Sequence, residues 1–389
     1  MLITAFIIIP QEGDSQKLEK EHLDQLKFRH IGPIGNRINS VSGVPGDPLT
    51  YVVGAASGGV WKTVDGGLNW MPIFDKQEVH AIGSLTICPS DPQIIYVGTG
   101  ESFIRSNVSI GNGMYKSTDG GESWSHIGLE NTGRISRVIV HPENPDIVYV
   151  AALGHAYSPQ PERGIYRSMD GGETWEHVLF VDENTGASDI VMDPDNPRIL
   201  FAGTWQLELK TWKRNSGGPG SGVQMSNDAG KTWKKLQGNG LPKGPVGKVA
   251  LAMTPAKPDR VYALIETGDG VPLELEGQPT ETGELWRSDN NGKSFQLVSS
   301  NRDLGGRGAY YTRCAASPDN PHEVYFMAAG FTTSIDGGKS VHPVSPFSAP
   351  NWDHHEMWID PTDGNRMVVV GDGGVSISQN RGVSWLRNF

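Results

Sequence analysis

Glu101, Glu266 and Asp372 each sit at the end of a β-rich run, where a sheet protein offers side chains to a ligand. Two carboxyl groups facing one cleft are the minimum for cutting a glycosidic bond, so these three are the candidate catalytic acids. Arg37, Arg105 and Arg134 are cations able to pair a ligand's carboxylate. His155, Trp205, Trp212, Tyr310 and Tyr311, with Phe103 and Tyr157, offer faces for sugar rings or peptide side chains. The densest polar run is Asp353-His354-His355-Glu356, whose residue types suit a metal together with Asp372. Adjacent residues on a strand point to opposite faces, so at most two of that run converge, and no metal or other cofactor is expected. The sequence holds no evident nucleophile–base pair. Crowded polar side chains commonly satisfy one another and water, and that plainer reading stands beside each residue named.

The elements that position these residues repeat seven times. A Ser or Thr is followed two residues later by Asp or Asn, then by Gly and usually by Trp. Clear copies are Thr63-Val-Asp65-Gly-Gly67-Leu-Asn-Trp70, Ser117-Thr-Asp119-Gly-Gly121-Glu-Ser-Trp124 and Ser168-Met-Asp170-Gly-Gly172-Glu-Thr-Trp175. Further copies start at Ser226, Ser288, Ser334 and Ser378. A short carboxylate in a tight hairpin accepts hydrogen bonds from nearby N–H groups and from the hydroxyl two residues before it. Glycine supplies the positive φ, and Trp covers apolar surface between sheets. Each copy carries only one or two carboxylates, too few for Ca²⁺, which takes six to eight oxygens. A second signal precedes each hairpin: a proline-bracketed turn such as Pro89-Ser-Asp-Pro92 or Pro142-Glu-Asn-Pro145, then a β-rich strand.

A period of roughly 45 to 60 residues with four strands per unit is that of a propeller blade. The expected fold is all-β, a seven-bladed β-propeller of four-stranded antiparallel blades. Its blades cover about 28–74, 79–127, 133–180, 187–237, 246–298, 309–344 and 354–389, which makes 28–389 one domain. Residues 1–27 stand apart as an apolar start and a short charged helix or linker. Within 389 residues, 50 Gly and 26 Pro mark a turn-dense chain, and 11 Trp supply packing between blades. The net charge of −11 argues against a phosphate-binding surface, so nucleic acid is not an expected partner. Cys88 and Cys314 fall on inner strands of blades two and six, too far apart in a ring to pair. The apolar run Met1–Ile9 is too short to span a bilayer and lacks a basic leader, so no transmembrane segment is expected. It reads as an incomplete secretion signal or a misassigned start. Asn107-Val-Ser109 matches a glycosylation sequon by sequence alone.

The hairpins, their number and the Pro-x-x-Pro turns resemble the Asp-box (BNR-repeat) propellers. Within that group the chain is similar to the bacterial sortilin-like and glycosyl-hydrolase-like (xyloglucanase-related) proteins, through segments such as Gly59-Val-Trp-Lys-Thr63, Gly113-Met-Tyr-Lys-Ser117 and Gly371-Asp-Gly-Gly374. The resemblance implies a secreted or periplasmic propeller that presents a loop face to a protein, peptide or glycan. A glycoside hydrolase, xyloglucanase-like or sialidase-like, is the alternative, degenerate or as half of a two-propeller enzyme with a second propeller or partner subunit. In xyloglucanase-like enzymes an Asp precedes the Gly-Gly strand of blade one; here Ala56 takes that place. A sialidase would need three matched arginines, and Arg29 alone faintly fits.

In each blade the A–B and C–D turns lie on one face and the B–C and D–A connections on the other. The long B–C connections fall in blades two to five, so the ligand is expected there, against a wall of loops with Phe103, Tyr157, Trp205 and Trp212 as anchors. Arg381, at a hairpin tip, is expected to be dispensable.

Overall fold

The computed structural model describes residues 37–105, 107–267, 283–345 and 348–388. The expected N-terminal helix and the segment expected to help join the ring's ends (Phe28–Pro33) lie outside these residues. Seven antiparallel sheets follow one another in the order A-B-C-D, each made from one contiguous stretch of chain. The inner A strands are Ile38–Gly43, Ile82–Cys88, Ile135–Val140, Thr185–Met192, Val249–Met253, Arg313–Ala316 and His354–Ile359. In blade four, strand B (Leu200–Lys210) runs past its sheet and pairs with Lys213–Ser216 in a projecting hairpin. The described residues contain no α-helix.

The hairpin motif does what its residue types allow. Ser117 Oγ donates to Asp119 Oδ1 (2.8 Å) and accepts from Gly121 N (2.8 Å), while Asp119 accepts from the N–H and Oγ of Ser123 (2.9 and 2.5 Å). This clasp holds two consecutive residues at positive φ, Gly120 (71°) and Gly121 (99°). The first of the two then donates its N–H to a carbonyl in the same blade's A–B turn. All seven blades make that bond at 2.7–2.9 Å, from Gly66 to Leu49 O in the first through Arg381 to Asn365 O in the last. The two sequence signals therefore stand on one face because each blade bonds them together.

Neighbouring blades bury seven apolar clusters, one per interface. The ring closes where Tyr51 and Val53 meet Val368 and Val370, and where Gly46 N donates to Asp360 Oδ2 (3.0 Å). Tryptophans add directed ties: Trp124 Nε1 reaches Ile73 O and Trp175 Nε1 reaches Ile127 O, both at 2.7 Å and both in the preceding blade. Cys88 and Cys314 are free and buried on strands A of blades two and six. Burial pushes both thiols up to about 12. Arg381 is not the idle tip its hairpin position suggested. Its guanidinium bridges Asp319 (2.5 Å) and Glu323 (2.7 Å) of blade six.

Two outcomes follow from the clasp. Asp119, Asp170, Asp228 and Asp336 are held at about 2, each chiefly by the hydroxyl four residues on. A folded value below the unfolded ~3.9 gives stabilisation complete above that pH and lost as pH falls toward 2. Blade five already uses Asn290, whose Nδ2 donates to Ser294 Oγ (2.8 Å) where the Asp accepts. Asp119→Asn should therefore fold normally and lose less of its urea midpoint between pH 7 and 2.5 than the parent chain. Second, Ala229 occupies the first positive-φ position (61°) that Gly fills in four other blades. Ala229→Gly should raise stability by about 1 kcal/mol, read as a higher thermal midpoint.

Candidate functional site

Each A strand begins at the face of the B–C and D–A connections, so the residues around its start ring the channel mouth. His355, on strand A of blade seven, is fully buried at the centre of this ring. Its Nδ1 lies 2.8 Å from Ile38 O, a pure acceptor, so Nδ1 carries the proton and Nε2 accepts from Tyr310 OH (3.0 Å). The ring stacks on Phe103 at 4.3 Å between centroids, and burial holds its pKa at about 3. Asp372 Oδ1 lies 3.3 Å from both Tyr310 OH and His355 Nε2. Burial raises the Asp372 carboxyl above its ordinary value and Arg37 opposes the shift.

Arg37 links the two acids at this mouth. Its Nη2 is 2.8 Å from Glu101 Oε1 and its Nε is 3.9 Å from Asp372 Oδ1. Arg105 Nε (3.0 Å) and Ser109 N (3.2 Å) also donate to Glu101, whose side chain is wholly inaccessible. Enclosed in this way, the Glu101 carboxylate cannot touch a substrate. Glu266 is likewise buried: one oxygen accepts from Ser216 Oγ (2.6 Å) and Lys248 N (2.9 Å), and the other has no partner. Of the three candidate acids only Asp372 is open, with 39% of its side chain exposed.

The long loops of blades two to four roof the mouth; most of the blade-five connection lies outside the described residues. Ile104, Leu153, Ala156, Trp205 and Leu207, from blades two, three and four, form one buried cluster with Ala309. Trp205 corrects the sequence expectation: it is fully buried, with its Nε1 on Ser216 Oγ (3.0 Å), because the blade-four hairpin folds the indole inward. Phe103 is buried too, against Tyr310 and Tyr311. Beneath them Lys248 Nζ donates to the carbonyls of Tyr310 (3.0 Å) and Tyr311 (2.7 Å) and lies 5.0 Å from the Phe103 centroid. Burial, with Arg313 nearby, holds Lys248 well below the ordinary lysine value. Lys248 thus fixes the peptide that aims both tyrosines.

The remaining candidates separate. Tyr311 bonds the Asp353 carboxylate. Burial raises the pKa of both tyrosine hydroxyls, so neither is a ready nucleophile. Arg134 is buried, its Nη2 on Val108 O (3.0 Å) and its Nε without a partner. His155 is partly buried beside it, its pKa lowered by burial and then by Arg134. His354 turns away from His355 toward Ala328 O (3.0 Å). Among the described residues no three His, Cys, Asp or Glu side chains are grouped to hold a metal. Trp212 at the hairpin tip and Tyr157 are exposed, at 75% and 47%. Sequence reasoning missed Trp352, 61% exposed on the D–A connection into blade seven. It adjoins Asp353, whose carbonyl accepts from Asp372 N (3.1 Å), which sets the indole's backbone beside the open acid. A Trp outside the hairpin repeat was the signal that could have found it.

Residues 112–242 match the family model of the Sortilin-Vps10 proteins (sortilin, neurotensin receptor 3). The xyloglucanase Xgh74A of Acetivibrio thermocellus is 28% identical over 160 residues, which is 38% of this chain and 17% of that enzyme. The GH74 xyloglucanase of Xanthomonas campestris superposes with a TM-score of 0.63 over 91% of this chain, at 18% identity. The chain is a β-propeller similar to sortilin-like and xyloglucanase-related proteins. YCF48 bound to D1 peptide shares the fold, with a TM-score of 0.56 at 15% identity over 88% of this chain and 93% of its own. This chain spans about half of the Xanthomonas enzyme, covering 53% of that structure. Where the resemblance places an acid, Ala56 is fully buried and its N–H donates to Arg37 O (2.8 Å), bracing the arginine instead. No helix among the described residues is long and apolar enough to cross a membrane.

Because His355 is locked neutral, its ¹⁵N signals should show one Nδ1–H tautomer and no titration between pH 4 and 8. Lys248→Met should leave the two tyrosine carbonyls unpaired and cost about 1–3 kcal/mol, seen as a lower urea midpoint.

Proposed function

We propose that this propeller is an extracytoplasmic binding module. It takes a glycan or extended peptide across the centre of its B–C face, with Trp352, Asp372 and Arg37 as the contacts. One observation carries this reading: of the candidate acids only Asp372 is open, and it is flanked by an exposed indole and a guanidinium. An aromatic face beside one acceptor and one fork of donors suits sugar hydroxyls and peptide amides alike. The xyloglucanase relatives and the peptide-bound YCF48 support the two ligand classes.

The hydrolase reading rests on the raised pKa of Asp372, which fits a general acid. Among the described residues at this mouth a second free carboxyl is lacking, since Glu101 and Asp353 are engaged by arginines and by Tyr311. The chain alone should therefore leave xyloglucan intact.

The test is calorimetric titration with xyloglucan oligosaccharides and with an extended peptide library, run beside a reducing-sugar assay. Trp352→Ala and Arg37→Gln should each weaken binding about tenfold, a loss of about 1.4 kcal/mol. Trp212→Ala should weaken it less, and no sugar should be released. Unchanged binding in all three variants sinks the proposal, as does oligosaccharide cleavage that Asp372→Asn abolishes.

A further inference from the structure

The opposite face of the ring holds a cavity. At the A–B turns the channel opens as a funnel of about 400 Å³, bounded by one proline from each of five turns and by Met192, Met253, Met357 and Trp358. Gly43 makes room for this wall: a Cβ there would sit 2.7 Å from the Trp358 ring.

The floor of the funnel is Arg137. Its Nε donates to Asp189 Oδ1 (2.8 Å) and its Nη1 to Glu356 Oε2 (2.7 Å). Arg313 closes the layer behind it, donating to Ser188 O (3.0 Å) and Ser136 O (2.9 Å) and lying 3.4 Å from Asp189. Phe103 and the loop roof lie above Arg313, with the ring 5.6 Å from its guanidinium. The channel is thus stoppered at the B–C end and open at the other, a blind pocket rather than a pore.

We infer that the funnel binds a small apolar molecule carrying one neutral oxygen acceptor, such as an amide, ketone or alcohol. Three observations select this class. The walls are mostly apolar, and flexible methionines adapt to varied shapes. The volume lies within the range of small-ligand sites. The floor layer is already neutral, since Arg137 and Arg313 face Asp189 and Glu356. A charged head group would upset that balance in a desolvated place. One donor group nevertheless remains: the second Nη of Arg137 has no partner among the described residues, and its side chain is 19% exposed. The other polar groups on the wall are engaged, Ser42 Oγ by Ile87 N (3.1 Å) and Asp193 Oδ1 by the N–H groups of Asp195 and Asn196. A neutral oxygen at the tip of an apolar body completes the Arg137 fork without adding charge.

The experiment uses the full chain labelled with ¹³C-methyl methionine, titrated with hexanamide and, separately, with hexanoate at pH 7. Hexanamide should shift the methyl signals of Met192, Met253 and Met357 saturably. Hexanoate, with the same apolar tail but a charged head, should bind about tenfold more weakly or worse. Thr86→Phe, which narrows the wall, should abolish the hexanamide shifts, whereas Trp352→Ala on the far face should leave them unchanged. The inference is overturned if no methionine signal saturates, if both probes bind equally, or if a folded Thr86→Phe chain still binds. Should Thr86→Phe fail to fold, the comparison of the two probes on the parent chain decides by itself.

Discussion

Two consecutive residues at positive φ, clasped by one hydroxyl and one Asp or Asn side chain, set the geometry of every blade. The clasp turns the hairpin so that an amide points at the A–B turn, and the resulting bond ties the two outer turns of a blade together. Each blade then presents a fixed edge to the next. Tyrosines on strand B use that edge: Tyr96 OH reaches Pro145 O and Gly171 O of blade three, and Tyr149 OH reaches Ala229 O of blade four. A local constraint of a few atoms thereby sets the spacing of the whole ring. It tolerates Asn290 for Asp and Ala229 or Arg381 for Gly because hydrogen bonding, rather than charge or glycine alone, holds the conformation.

That local character explains what could be read from the sequence. The clasp involves residues within a few positions of one another, so the Ser-x-Asp-x-Gly pattern states it completely, and the seven blades follow. The assignment of turns to faces follows as well, since strand order alone dictates it. The site was less legible because its contacts join residues far apart in the chain. Arg37 was visible as a cation, but nothing near it announces that Glu101 stands on one side and Asp372 on the other. Trp205 and Trp212 look alike in sequence, yet the register of one hairpin buries the first and lifts the second into solvent. Trp352 lies outside the repeat and takes its place from a D–A connection of no regular pattern.

The axis of the ring is organised by solvation. Aromatic and aliphatic side chains from four blades seal one end and exclude water from the layer of paired charges beneath. In that low-dielectric setting charges survive only in balanced sets. Asp189 is held low by Arg137 and Arg313 against the opposing pull of burial, whereas Lys248, lacking such a close carboxylate partner, is driven toward neutrality. The same burial that keeps Glu101 and Glu266 from any substrate makes them rigid posts, with Asp372 the one of the three candidate acids that faces outward.

Each described blade draws all its four strands from one continuous stretch, with no strand shared across the seam between the seventh and the first. Among the described residues the seam is joined by packing and side-chain bonds, including one from Gln379 Nε2 to Tyr51 OH at 3.4 Å. The other six junctions have the same kind of packing plus a peptide link. Covalent order and spatial order are therefore separable in this ring: rewiring the gene so that translation starts at a different blade would relocate the seam while keeping every interface.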